Sequence, residues 1–194
     1  MASRIEERFV VKAPAAAVWA YLIDPRRVVT CLPGAELSEI VDERTFHGLV
    51  KVKVGPVGVS YRGRVRLEEV DEAARRVRMT AEGREASGAG SAKMRMESRL
   101  VEGPGGETEV TVTAEVDVAG KLVQFGRGMI EQVSHQVFSQ FAECVRCTLE
   151  AEALSRGAEA APARRDLQVI PLLFTALAAW LGALFRRLFG SAAR

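Results

Sequence analysis

From Ala35 to Val118 the hydrophobic period of this chain is two, and near residue 120 it changes to about 3.6, a change that dictates most of what the chain can fold into. Upstream, Phe46, Gly48, Val50, Val52 and Val54 alternate with His47, Lys51 and Lys53. Val59, Tyr61, Gly63, Val65 and Leu67 alternate with Ser60, Arg62, Arg64, Arg66 and Glu68. The same reading holds for Val77, Met79 and Ala81, for Ala92, Met94, Met96, Ser98 and Leu100, and for Val110, Val112, Ala114, Val116 and Val118. Each run is a strand with one apolar and one charged face. Downstream, Leu122, Phe125, Met129, Val133, Val137, Phe141, Cys144 and Thr148 recur every three or four residues, a single stripe on a helix from Lys121 to about Leu154.

Strands joined by short turns such as Gly55-Pro56-Val57-Gly58 and Gly103-Pro104-Gly105-Gly106 pair antiparallel, and a sheet with one apolar face needs a cover. The helix is that cover. The expected fold is α+β: a curved antiparallel sheet of six or seven strands gripping a long C-terminal helix, over residues 1–153. A strand over Ile5–Lys12 precedes two short helices that plug one end. The first brings Val18, Tyr21 and Leu22 inward, with Trp19 at core or rim, and the second starts at Pro25 behind the cap-like Asp24. Gly120, Gly126 and Gly128 leave the start of the long helix loose.

A net charge of +2 is too small to argue for a nucleic-acid partner. Three cysteines without framework spacing fit a reducing compartment, and the charges within Met1–Val11 leave no apolar signal segment, so a cytosol-facing protein is expected. Residues 154–166, rich in Ala, Glu and Arg, read as a linker, and 167–189 as a membrane-associating helix. About 19 uncharged residues would extend roughly 28 Å as a helix, close to the thickness of a bilayer's hydrocarbon. Leu172, Leu173, Phe174, Leu177, Trp180, Leu181, Leu184 and Phe185 are its membrane-contacting residues, whether the segment spans the bilayer or lies in its plane.

Acid/base chemistry needs two titratable groups in one apolar space, and the inward face offers only Tyr61, Ser98 and Glu85 as polar members. His47 and His135 fall on wet faces and read as solvated. Cys144 and Cys147 form a C-x-x-C late in a helix with no second pair, a poor metal or redox motif. Gly83 to Gly90 lacks the Lys-Ser/Thr end of a phosphate loop and reads as a bend. The outward face is rich in arginine, either cross-strand ion pairs or a docking surface for an acidic partner. Inward methionines meet small residues such as Gly63, Ala81, Ala92 and Ala114, leaving room for a greasy guest where the methionines do not simply fill it.

The order strand, two short helices, strands and long helix resembles the helix-grip fold of the START/Bet v 1 superfamily. Within it, Cys31-Leu32-Pro33-Gly34, Val52-Lys53-Val54-Gly55-Pro56, Tyr61-Arg62-Gly63, Gly90-Ser91-Ala92, Val118-Ala119-Gly120-Lys121-Leu122 and Phe125-Gly126 resemble the family of carbon monoxide dehydrogenase G subunits over about residues 3 to 150. That resemblance implies recruitment of a molybdenum carbon monoxide dehydrogenase to the cytoplasmic face of the bacterial cell membrane. It supplies no catalytic motif.

Together these features lead to the expectation of a non-enzymatic, membrane-tethered accessory protein. It would bind a quinone, menaquinone or ubiquinone, non-covalently in an apolar cavity and deliver it as electron acceptor. The expected lining is Phe46, Tyr61, Val65, Met79, Met94, Met96, Ser98, Val112, Val116, Leu122, Phe125, Met129 and Val133, with Tyr61 or Ser98 bonding the quinone carbonyl and the mouth near Gly55 to Gly58. The alternative is a pure membrane anchor or assembly factor; an enzyme acting on a hydrophobic substrate, such as a polyketide cyclase, is weakened by the missing acid/base pair.

Overall fold

The computed structural model describes residues 2–55 and 57–160, with residue 54 and residues 156–160 described through their backbone alone. β1 (Ala2–Val11) is followed by helices α1 (Ala15–Leu22) and α2 (Pro25–Cys31). Six strands come next: β2 (Ala35–Ile40), β3 (Thr45–Val54), β4 (Val57–Asp71), β5 (Arg76–Glu85), β6 (Ser91–Glu102) and β7 (Thr108–Ala119). A 3-10 turn, Lys121–Phe125, then leads into α3 (Gly126–Ala160), which continues through the first part of the stretch expected to be linker. The remaining linker and the apolar segment 167–189 lie outside the described residues; among the described residues no helix is long and apolar enough to cross a membrane.

All seven strands form one antiparallel sheet in the order β1-β7-β6-β5-β4-β3-β2. The meander β2 to β7 follows from its short turns, whereas β1 closes the far edge by pairing with β7, Phe9 opposite Val110. The sheet bends where side chains are absent. At Gly63 a Cβ would sit 2.3 Å from the Glu82 carbonyl oxygen and 2.9 Å from Gly83 Cα, so only glycine allows β4 and β5 to approach so closely. Gly63→Ala is therefore expected to lower stability by about 2–3 kcal/mol. An unchanged melting curve by circular dichroism would show that the sheet has slack there.

The core divides in two. The first cluster gathers Phe9, Val11, Val18, Trp19, Tyr21, Leu100, Val110, Val145 and Leu149, where α1, α2 and the C-terminal half of α3 close one end of the sheet. Phe9 packs its ring edge-on against Phe138 and Phe141 at 5.7 and 6.4 Å. Trp19 is thus core, and Asp24 caps α2 as its sequence predicts, its carboxylate accepting from the Arg26 amide at 2.9 Å. The second cluster, Val59, Tyr61, Val118, Leu122 and Ile130, sits under the 3-10 turn and the first turns of α3.

Two sequence expectations differ from the structure. The helical stripe takes its phase from Leu122 and Phe125, but these lie in the 3-10 turn, which winds three residues per turn and ends at Gly126 with φ 75°. α3 therefore starts its own phase: Ile130, Ala142, Val145 and Leu149 are buried, and Met129 is 38% exposed. The second concerns the cysteines. Cys31, at the end of α2, forms a disulfide with Cys144 of α3, leaving Cys147 as the free and exposed thiol. The pair is separated by 113 residues, and spacing cannot identify partners that meet only in three dimensions. The bridge removes the cysteine support for a reducing compartment.

Candidate functional site

The strand registers arrange the inward face in transverse rows. Phe46, Val65, Ala81, Met94 and Val116 form the middle row. Leu67, Met79, Met96 and Ala114 lie to one side, toward the first cluster. On the other side come Gly48, Gly63, Gly83 and Ala92, a lane almost without side chains, and then Val50, Tyr61 and Glu85. Val65, Met79, Ala81 and Met94 belong to neither core cluster and are partly exposed, while Phe46 is buried at 6%. The inward face is packed into a cluster at each end and only partly buried in its middle.

The expected lining residues divide along the same line. Tyr61 and Leu122 belong to the second cluster, with Val116, Phe125 and Val133 packed against it. Val112 belongs to the first, with Met96 against it, and Ser98 lies buried between Val77 and Val112 in register. Tyr61 and Ser98 are therefore not brought together. Glu85, opposite Tyr61, and Val77, opposite Ser98, are eight residues apart on β5, roughly 26 Å at strand rise, so one head group touches one or the other. Met129 stands outside both clusters.

The feature that sequence reasoning left without a role is Glu85. It continues the inward alternation Val77, Met79, Ala81, Gly83, and a carboxylate on an apolar face is the signal that could have singled it out. It is 7% exposed, and Tyr61 across from it is 5% exposed. Glu85 Oε1 accepts from the Ser87 hydroxyl at 2.8 Å, while Oε2 and the Tyr61 hydroxyl are buried without a hydrogen-bond partner among the described residues. Gly90 makes room for that carboxylate: a Cβ there would lie 2.8 Å from Oε2. Burial, and after it the negative charge of Glu85, raises the Tyr61 phenol above its ordinary value. It stays protonated and can donate, and Glu85 Oε2 can accept.

A depression of about 360 Å³ opens on the β3–β4 hairpin beside this corner, lined by Lys51, Val52, Lys53, Gly58, Val59 and Ser60. Gly55, Gly126 and Gly128 face open space there and at the start of α3. A second, of about 370 Å³, lies on the outward charged face between Arg64, Arg66, Lys93, Arg95 and Glu115.

Other candidates resolve into structural roles. His47 Nδ1 meets Glu39 at 3.1 Å and His135 pairs with Glu7 of β1, so both are exposed partners of carboxylates and not merely solvated. The Cys147 thiol is held above its usual range, chiefly by its hydrogen bond to Glu143, which makes it a weak nucleophile. Gly83 to Gly90 is the end of β5 and its turn into β6. Among the described residues no group of three or more His, Cys, Asp or Glu is placed to hold a metal ion.

Solved structures share this architecture. A conserved protein from Geobacillus kaustophilus superposes with a TM-score of 0.70 at 19% identity, covering 77% of this chain and 96% of that one. The ZhuI aromatase/cyclase from Streptomyces sp. R1128 gives 0.60 at 19% identity over 79% and 96%. A START superfamily protein from Mycobacterium smegmatis gives 0.55 at 12% identity over 76% and 97%. At such identities the likeness is one of fold, the START/Bet v 1-like helix grip. No curated protein matches the chain in sequence. The sequence profile of the carbon monoxide dehydrogenase G subunit, CoxG, matches residues 8–150, which span the sheet from within β1 and the buried part of α3, and the chain therefore belongs to the CoxG family.

Proposed function

We propose that this protein is a non-enzymatic accessory subunit that recruits a molybdenum carbon monoxide dehydrogenase to the cytoplasmic face of the bacterial membrane and lends it a quinone. The guest, menaquinone or ubiquinone, occupies the inward sheet face beside α3 and serves as electron acceptor. The observation that carries this reading is the divided core: an apolar surface with a packed cluster at each end, partly exposed at Val65, Met79, Ala81 and Met94, with polar atoms that find no partner among the described residues at Tyr61 and Glu85 toward one end, at Ser98 toward the other and at Ser3 opposite Val116. The Tyr61 and Glu85 pair, where a donor and an acceptor face each other, is what a polar-headed guest would satisfy. The family's tie to a dehydrogenase supports a redox partner. Solvent extraction or native mass spectrometry of the detergent-purified full chain is expected to find quinone. Its absence, with no uptake from quinone-loaded liposomes, would remove the carrier role.

A pure anchor is the second reading, favoured by the outward face. Arg62 and Arg84 sit directly opposite one another across β4 and β5, whereas Arg76, opposite Arg99, is already paired with Glu69 and Asp71. Like charges so placed are destabilising unless an acidic surface meets them, which suits docking to an enzyme. Ala114→Phe separates the readings. Ala114 is buried in the row of Met96, and a phenyl ring there projects into the inward space. For a carrier, quinone content falls at least tenfold while dehydrogenase recruitment persists; for an anchor, carbon monoxide oxidation by membranes is unchanged.

A further inference from the structure

We propose that Tyr61 and Glu85 form the polar end of a ligand site that prefers a guest able to donate a hydrogen bond, an apolar molecule bearing a hydroxyl group, over a guest that offers only carbonyls. The identity of that guest rests on the function proposed above: for an isoprenoid quinone, the preferred form is the reduced hydroquinone.

Two buried polar atoms here lack the hydrogen bonds they need. Tyr61 and Glu85 face each other across β4 and β5, each more than nine-tenths buried, and the phenol hydroxyl and Glu85 Oε2 have no partner among the described residues. Side chains so buried in a protein interior are almost always satisfied. Apolar neighbours cannot satisfy these two. Val59, Val118, Leu122 and Ile130 pack around Tyr61. The glycine lane of Gly48, Gly63 and Gly83 lies alongside, with the Tyr61 side chain leaning over Gly83, where a Cβ would meet the Tyr61 Cβ at 3.4 Å and Cδ1 at 3.9 Å.

The two atoms are also complementary in kind. The Tyr61 hydroxyl donates to a carbonyl or hydroxyl oxygen, and Glu85 Oε2, whose sister oxygen already accepts from Ser87, accepts from a hydroxyl. A quinone has two carbonyls and answers Tyr61 alone. It places an oxygen lone pair against the carboxylate. A hydroquinone answers both, and its bond to the carboxylate is charge-assisted. On this basis the site holds the product of electron transfer more firmly than the acceptor.

The test is calorimetric titration of the detergent-purified full chain, under anaerobic conditions, with 2,3-dimethyl-1,4-naphthoquinone and with its hydroquinone. A second pair, 1-naphthol and 1-methoxynaphthalene, exchanges the hydroxyl donor for a methyl ether. The hydroquinone and the naphthol are expected to bind at least about tenfold more tightly than their counterparts. Glu85→Gln, which keeps the shape and supplies N–H donors, abolishes or inverts the preference, and Tyr61→Phe weakens both naphthoquinone forms. Unchanged circular dichroism melting shows that these variants fold. Quinone binding equal to or tighter than hydroquinone binding, indifferent to Glu85→Gln, overturns the site and leaves the quinone reading intact. If only the naphthol pair binds, with its preference dependent on Glu85, the site stands and the quinone reading falls. Failure of all four probes to bind overturns both.

Discussion

Cys31→Ser is expected to lower the stability of the folded domain by about 4–5 kcal/mol, because the Cys31–Cys144 bridge closes a loop of more than a hundred residues, and cross-linking so long a loop greatly restricts the unfolded chain. For a chain of this size that is a fall in melting temperature of roughly 10–15 °C. The bridge ties the end of α2, with its buried neighbour Tyr21, to the middle of α3. Losing it loosens the plug from the cover helix. Cys144→Ser should match Cys31→Ser, and Cys147→Ser should change little, since Cys147 is exposed and hydrogen-bonds Glu143. Thiol counting on denatured, unreduced protein is expected to find one reactive thiol. Finding three, with all variants melting alike, would show that the bridge does not form.

Ending the chain before Leu167 is expected to move the protein from membrane to soluble fraction while leaving its melting temperature unchanged. Leu172, Leu173, Phe174, Leu177, Trp180, Leu181, Leu184 and Phe185 each contribute about 1.5–3 kcal/mol when fully removed from water. Even at a fraction of that, their sum exceeds what one acyl anchor provides. Arg164, Arg165, Arg186 and Arg187 add about 1 kcal/mol each beside anionic lipid, a contribution that salt weakens. Hence high salt alone should leave the full chain on liposomes and detergent should release it. Sedimentation with liposomes measures both, and a truncated chain that still pellets would place the attachment in the folded domain. The domain should be indifferent to the cut, because its core ends at Leu149, well before the deleted residues.

Much of the fold is legible in the sequence because it rests on alternation, a local property. The residues from Phe46 to Val118 declare their strand faces, and the turns between them are sharp enough to force neighbours together. Asp24 and Pro25 declare the start of α2 in the same way. The candidate site is legible as a face but not as a place. Tyr61 and Ser98 look equivalent in sequence because both point inward; the registers set them at opposite ends of the sheet. Met129 falls on the inward stripe only if one phase is carried across Gly126, and Glu85 has no role in sequence because its significance lies in facing Tyr61.

What the sequence determined by itself was periodicity: which faces are apolar, where the period changes, and that a long helix must cover a sheet, because the spacing of side chains along a strand or helix is set by backbone geometry. What only the tertiary structure decided was adjacency. The pairing of β1 with β7, the bridge from Cys31 to Cys144 and the meeting of Tyr61 with Glu85 each join atoms whose separation along the chain carries no information about their separation in space.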